Sequence, residues 1–289
     1  MEYRPTKCIE KSERKKIMEN YKSNKKHIAC ISYGKDSLAM LEVIYRGGLP
    51  LDEIITCDIY ATKTENIHDE EMQKFVEKAD DVILKRYGIE VKHIRAEKSF
   101  EQYLRQKRTK GDHIGEPNGF PLLFGSWCIS KLKTGPMNKY IGDNIQYIGY
   151  AIDEKNSNRR EMGKYPPMNT IYPLVDENIT EEMAMKVCEK LDLVSPTYRG
   201  SCRDGCWFCG KQGLDSIRQI YNTDKKKWAL LLKWDKISYT RFTPIKQTVA
   251  AYGKRFEMEN KGLVPIGPKF RWDMLKGDKP RSRKKKKKG

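Results

Sequence analysis

Short apolar runs alternate with amphipathic stretches through most of this chain. Residues 27–31 (HIACI), 54–58 (IITCD), 91–95 (VKHIR) and 145–149 (IQYIG) have the length and bulk of strands buried in a parallel sheet. Between them lie stretches with helical spacing. Residues 38–46 are rich in Leu, Met, Ile and Tyr and stop at Gly47-Gly48. Residues 65–87 repeat apolar positions at Met72, Phe75, Val76, Ala79, Val82 and Ile83 and stop at Gly88. Shorter helices are expected over 100–107 and from Trp127 to about Ile141, and another from near Thr180, with Glu181 and Glu182 in its first turn. Strand and helix alternating in this way predict an α/β fold, a doubly wound parallel sheet of Rossmann-like form.

The pattern changes after residue 212. Residues 213–262 carry helical apolar positions only (Ile217, Ile220, Trp228, Leu231, Leu232, Val249, Tyr252, Phe256) and read as a small helical cap. The expected organisation is a helical lead-in over 1–26, a main domain over 27–212, the cap, and a basic, partly disordered tail over 263–289.

Charge sharpens this picture. The net charge is +18, and eight of the positive charges fall in residues 279–288, which leaves about +10 for the remainder. That excess points to a polyanionic partner, a nucleic acid or nucleotide phosphates. Residues 105–125 form a long Gly- and Pro-containing loop with Arg105, Lys107, Arg108 and Lys110, suited to contact with nucleotide or substrate. Phe270 and Trp272, interleaved with Lys269 and Arg271, have the mixed composition of nucleic-acid binders. No apolar run reaches the roughly 18 residues of a membrane span, and the N-terminus lacks a signal-peptide core, so a cytoplasmic protein without membrane contact is expected.

Candidate chemistry concentrates in two places. Residues 32–37 (SYGKDS) follow the first strand and open a helix. Such a turn aims backbone N–H groups and a helix dipole at one point, which suits an anion. Ser32 and Ser37 add hydroxyls, Lys35 a cation, and Gly34 room for a phosphate. The Walker A pattern is absent. The second place is the run Cys202, Cys206, Cys209, a C-x3-C-x2-C spacing on a glycine-containing loop. Three thiolates there can reach one metal or cluster, and Cys128 is the candidate fourth ligand. Cys188 falls in a buried helical stripe and reads as core, and none of the four histidines is marked as catalytic.

The SYGKDS loop resembles the PP-loop of ATP pyrophosphatases. With Trp127-Cys128-x-x-Lys131, Gly149-x-x-x-Asp153-Glu154 with Arg160, Pro173-Leu174 with Thr180-Glu181-Glu182, and Arg203-x-Gly205-Cys206-Trp207-x-Cys209, it resembles the phosphoadenylylsulfate (PAPS) reductase family over residues 25–212. The resemblance implies an adenine nucleotide α-hydrolase-like fold. It implies phosphate contacts at Ser32, Gly34, Lys35, Asp36 and Ser37, with Lys35, Asp36 and Ser37 as the catalytic group, and polar nucleotide contacts around Asp58, Glu154 and Arg160. It also implies a four-iron four-sulfur (4Fe-4S) cluster at the cysteines, with Zn²⁺ the alternative for the set Cys128, Cys202, Cys206 and Cys209.

One departure redirects the functional reading. Sulfonucleotide reductases attack sulfate with a cysteine in a C-terminal Glu-Cys-Gly-x-His motif, but here no cysteine follows Cys209 and no histidine follows His113. The pattern is similar instead to the nucleic-acid sulfurtransferase branch, such as the DNA phosphorothioation enzyme. That branch implies ATP with Mg²⁺, cleavage at the α-phosphate, a DNA or tRNA acceptor and a sulfur donor protein. Sulfonucleotide reduction and non-catalytic nucleotide sensing or DNA binding are the alternatives.

Overall fold

The computed structural model describes residues 24–111, 113–122, 126–154, 169–199, 205–242, 247–267, 270–272 and 275. The chain forms two compact units, Met1–Asp58 with His68–Ala96 and Lys133–Gly200, and Ile59–Ile67 with Glu97–Leu132 and Ser201–Gly289. The division does not follow chain order, because 97–132 clusters with the C-terminal helices.

The first unit is built on a five-stranded sheet of order β3-β2-β1-β4-β5. Its strands are β1 (His27–Ile31), β2 (Glu53–Asp58), β3 (Val91–Arg95), β4 (Ile145–Ile148) and β5 (Thr170–Ile171), and every pairing is parallel. This is the doubly wound α/β architecture expected. Alternate residues serve opposite faces. Ala29, Ile31 and Ile54 join one core with Leu38, Leu41 and Ile44 of α1 (Lys35–Gly47), Phe75, Ala79 and Ile83 of α2 (Glu70–Tyr87), and later helices. Ile28, Cys30 and Ile55 pack on the other side against Met137 and Ile141 of a helix following residue 134.

Helix ends follow local chemistry. Asp69 accepts from Met72 N at 2.9 Å, so α2 begins at Glu70, five residues later than its apolar spacing suggests. Gly48 and Gly88 adopt left-handed caps after α1 and α2. The helix expected over 127–141 is broken into α3 (Trp127–Ile129), a π-turn (Ser130–Thr134) and α4 (Gly135–Ile141). Pro136 has no N–H to give to the preceding turn, and the ladder widens there. Then follow α5 (Pro173–Asp176) and α6 (Glu181–Lys190), which starts where Thr180 caps Met183 N.

The strand order puts the topological switch between β1 and β4, where the chain leaves the sheet in opposite directions. Ligands of open α/β sheets occupy the crevice at such carboxyl ends. Residues 32–37 leave β1 at this point and residues 149–154 leave β4. Gly149 makes the fit possible. A Cβ there would lie 2.6 Å from Asp36 O and 2.7 Å from Ser37 Cα, both main-chain atoms with nowhere to swing.

In the second unit, α7 (Phe100–Arg105) carries a capping box of Ser99 and Gln102, and α8 (Leu214–Thr223), α9 (Lys225–Ile237) and α10 (Val249–Asn260) form the helical cap. The loop after α7 is not featureless. An antiparallel bridge pairs Lys107 with Pro117, Phe120 N donates to Ser238 Oγ at 2.7 Å, and Thr240 Oγ1 donates to Phe120 O at 2.6 Å.

Gly149→Ala should destabilise the protein by about 1–3 kcal/mol, because main chain must shift to admit the methyl. Urea unfolding measures this, and an unchanged midpoint would show that β4 and α1 are not tightly apposed.

Candidate functional site

The phosphate-loop candidate begins where β1 ends. Ser32 N donates to Ser37 Oγ at 3.2 Å, and Ser37 Oγ donates to Gly34 O at 2.9 Å, closing the turn on itself. Gly34 is the N-cap of α1 and offers no capping side chain. The Lys35 N–H instead donates to the hydroxyl of Tyr198 at 3.1 Å. Tyr198 comes from a 3-10 turn (Pro196–Arg199) far along the chain and lies 3.5 Å from where a Gly34 Cβ would sit. Nothing in local sequence marks it, because only folding brings residues 163 positions apart together.

Lys35 is half-buried against carboxylates. Its Nζ lies 3.0 Å from Asp36 and 3.3 Å from Glu181 at the start of α6. Burial opposes its charge, but those two carboxylates win and raise its pKa. Burial also raises the Asp36 carboxyl, and Glu181 and Glu154 raise it further despite the pull of Lys35. Asp153 accepts from Glu181 N at 2.7 Å, which ties the segment after β4 to α6. Asp36 is thus paired with Lys35 while also feeling the charges of Glu181 and Glu154. The Cys188 thiol donates to Lys35 O at 3.3 Å and is fully buried, in keeping with a core role.

Asp58 ends β2, as expected, and faces His93 on β3, with both carboxylate oxygens 3.1 Å from the ring Nδ1. Arg160 lies outside the described residues, as do Arg159 and the lead-in through residue 23.

The cysteine candidate lies in the second unit. Cys209 N donates to Cys206 O at 2.8 Å, and Gln212 closes the turn through Nε2 to Cys206 O at 2.6 Å. Trp207 and Phe208, between the two thiols, are buried. Phe100 stacks on Phe208 at 4.0 Å and on Trp127 at 5.4 Å between centroids, so one ring fixes the neighbours of both Cys128 and Cys209. Cys128 and Cys209 interact. Burial raises the Cys128 thiol first, and the charge of Cys209 adds to it, with Lys211 acting the other way. Cys128, Cys206 and Cys209 are all half-buried. Cys202 lies outside the described residues, and among the described residues no three Cys, His, Asp or Glu side chains gather as a metal-holding group. Cys128 and Cys209, which interact, and the nearby Cys206 are soft sulfur donors of the kind a soft metal or iron–sulfur cluster takes.

The aromatic residues of the tail are engaged internally. The Arg255 guanidinium lies 4.7 Å from the Phe270 ring and 5.3 Å from the Trp272 ring, and both rings remain half-buried rather than buried. The Lys-rich run lies outside the described residues. In the loop after α7, Arg108 and His113 pack on Tyr239, the latter ring at 4.3 Å. No described helix is long and apolar enough to cross a membrane.

Tyr198→Phe should release the Lys35 N–H and raise affinity for an anion by about two- to tenfold, the worth of one hydrogen bond. Titration calorimetry with inorganic pyrophosphate reads this. Weaker binding would show that the hydroxyl belongs to the anion site rather than filling it.

No family model matches the chain, and no curated protein does. Among solved structures, the chain is similar to the U34-tRNA thiolase NcsA from Methanococcus maripaludis with its 4Fe-4S cluster, at 18% identity over 82% of this chain and 83% of that one, with a TM-score of 0.35. The backbones superpose too loosely at that score for the likeness to bear on fold or site, and the α/β assignment rests on the strand order and parallel register described above.

Proposed function

We propose that this chain is a PP-loop enzyme of the PAPS reductase type that binds ATP and cleaves it at the α-phosphate. AMP and pyrophosphate are the products, and a nucleic-acid target is thereby activated for sulfur transfer. The observation that carries the reading is the place of the SYGKDS loop. It leaves β1 at the switch point of the sheet and runs into the start of α1, with Gly149 packed against the main chain of Asp36 and Ser37.

In this reading Ser32, Gly34, Lys35, Asp36 and Ser37 bind the phosphates. Asp58, Glu154 and Arg160 orient the nucleoside side. Lys35 and the loop N–H groups stabilise the charge that develops on departing pyrophosphate. A Mg²⁺ ion would be held by Asp36 with Glu154, carboxylates whose mutual repulsion a divalent cation relieves, and it supplies Lewis acidity at the phosphates. Adenylylating an oxygen of the acceptor converts a poor leaving group into a good one, and sulfur then displaces AMP. No histidine is needed. Cys128, Cys202, Cys206 and Cys209 would hold an iron–sulfur cluster, which supplies a sulfur-binding or structural centre. The positive charge of the chain suits a DNA or tRNA acceptor, with a sulfur donor protein as further partner.

Anaerobic protein with α-labelled ATP and Mg²⁺ should release AMP and pyrophosphate faster when DNA or tRNA is present. Lys35→Ala or Ser37→Ala should slow release by about a hundredfold or more. ATP left intact in every mixture would overturn the pyrophosphatase reading. Separately, the anaerobic protein should be brown and contain iron and acid-labile sulfide, both lost in Cys209→Ser. A colourless protein holding one zinc would replace the cluster with a structural metal.

A further inference from the structure

Beside the loop lies a charged network in which Asp58 alone has a part in the proposed chemistry. Tyr33 is the residue inside the loop whose side chain turns inward. It is non-glycine at φ 58°, in the left-handed region, and 2% exposed. A bulky residue holds that conformation only where its surroundings enforce it. Here the Tyr33 hydroxyl donates to Asp80 Oδ1 on α2 at 2.7 Å. The other Asp80 oxygen lies 3.0 Å from His93 Nε2, and the opposite ring nitrogen faces Asp58 at 3.1 Å. The Tyr33 oxygen is 3.2 Å from the same Nε2, and the two rings stack at 6.3 Å. A ring with a carboxylate at each nitrogen must carry both protons, since a neutral imidazole would turn a lone pair on one of them.

We propose that His93 is a positioning residue for the phosphate loop, bridging Asp58 and Asp80 so that Tyr33 is locked in its left-handed turn and the Asp58 carboxylate is aimed at the crevice. The loop after β1, the end of β2 and the middle of α2 are thereby joined at one ring. This rests on the nucleotide reading above only in what the positioned groups bind. The ring is faced by Asp58 from β2, Asp80 from α2 and the Tyr33 phenol from the loop, and Arg95 stands two residues along its own strand. Hydrogen bonding from Asp58, then Asp80, pushes the ring's pKa from 6.5 up to about 10. A group raised in this way adds stability that is complete below 6.5 and is lost as pH rises through about 10.

The test compares wild type, His93→Gln, Tyr33→Phe and the double variant. Amide exchange without ligand should speed up at residues 32–37 in His93→Gln. Affinity for ATP should fall in each single variant, with the two effects coupled by about fivefold or more rather than multiplying. The stability gap between wild type and His93→Gln should close between pH 6.5 and pH 10. Additive losses of affinity with unchanged loop exchange would overturn the proposal, since a merely structural histidine behaves so. If His93→Gln fails to fold, Asp80→Asn replaces it in the same cycle. Wild type that binds no ATP would count against the nucleotide reading, and loop exchange would still decide the role of His93.

Discussion

The nucleotide-site candidate depends on a main-chain contact that only glycine allows. Where β4 ends, Gly149 lies so close to the carbonyl of Asp36 and the Cα of Ser37 that a single methyl would overlap both. That contact sets how near the first turn of α1 comes to the sheet. It therefore sets where the loop N–H groups point. Parallel sheets supply a crevice at the switch point, but the crevice binds an anion only if a helix start is pressed into it. At that helix start the Tyr198 hydroxyl accepts the Lys35 N–H and lies 3.5 Å from where a Gly34 Cβ would sit.

Charge then shapes what the crevice accepts. Lys35 is not a free cation reaching for phosphate; it is held between Asp36 and Glu181. Asp36 is hard to ionise because burial, Glu181 and Glu154 all work against its charge. Within the same unit, Asp58 is balanced by His93 rather than by solvent, so its carboxylate has a fixed direction.

In the other unit, aromatic packing does for the cysteines what the glycine contact does for the loop. Phe100 gathers Trp127 and Phe208, and Trp234 packs on Phe100 and Trp207. The thiols of Cys128 and Cys209 are brought together because their bulky neighbours share one core. A buried ionic cluster of Arg218, Arg255 and Glu259 ties α8 to α10 and turns Phe270 and Trp272 onto the cap.

The strands, most helix ends and the phosphate-loop candidate were legible in the sequence, because periodicity, glycine stops and capping residues are local properties of the chain. Asp58 stood out as a carboxylate at a strand end, Glu154 through family resemblance, and Cys128 as a candidate partner for the cysteine loop through its chemistry and family position. His93 and Tyr198 carried no such mark, and Glu181 was marked only as part of the Thr180-Glu181-Glu182 resemblance, without a role. A histidine in a strand and a glutamate in a first turn are ordinary, and their roles come from neighbours 35, 163 and 146 residues away. The contact of the tail aromatics with Arg255 was likewise invisible in composition. By itself the sequence determined the α/β alternation and the chemistry available, since both follow from residue type and spacing. Only the tertiary structure decided which charges compensate one another, because Coulombic and hydrogen-bonding partners are chosen by distance in space rather than along the chain.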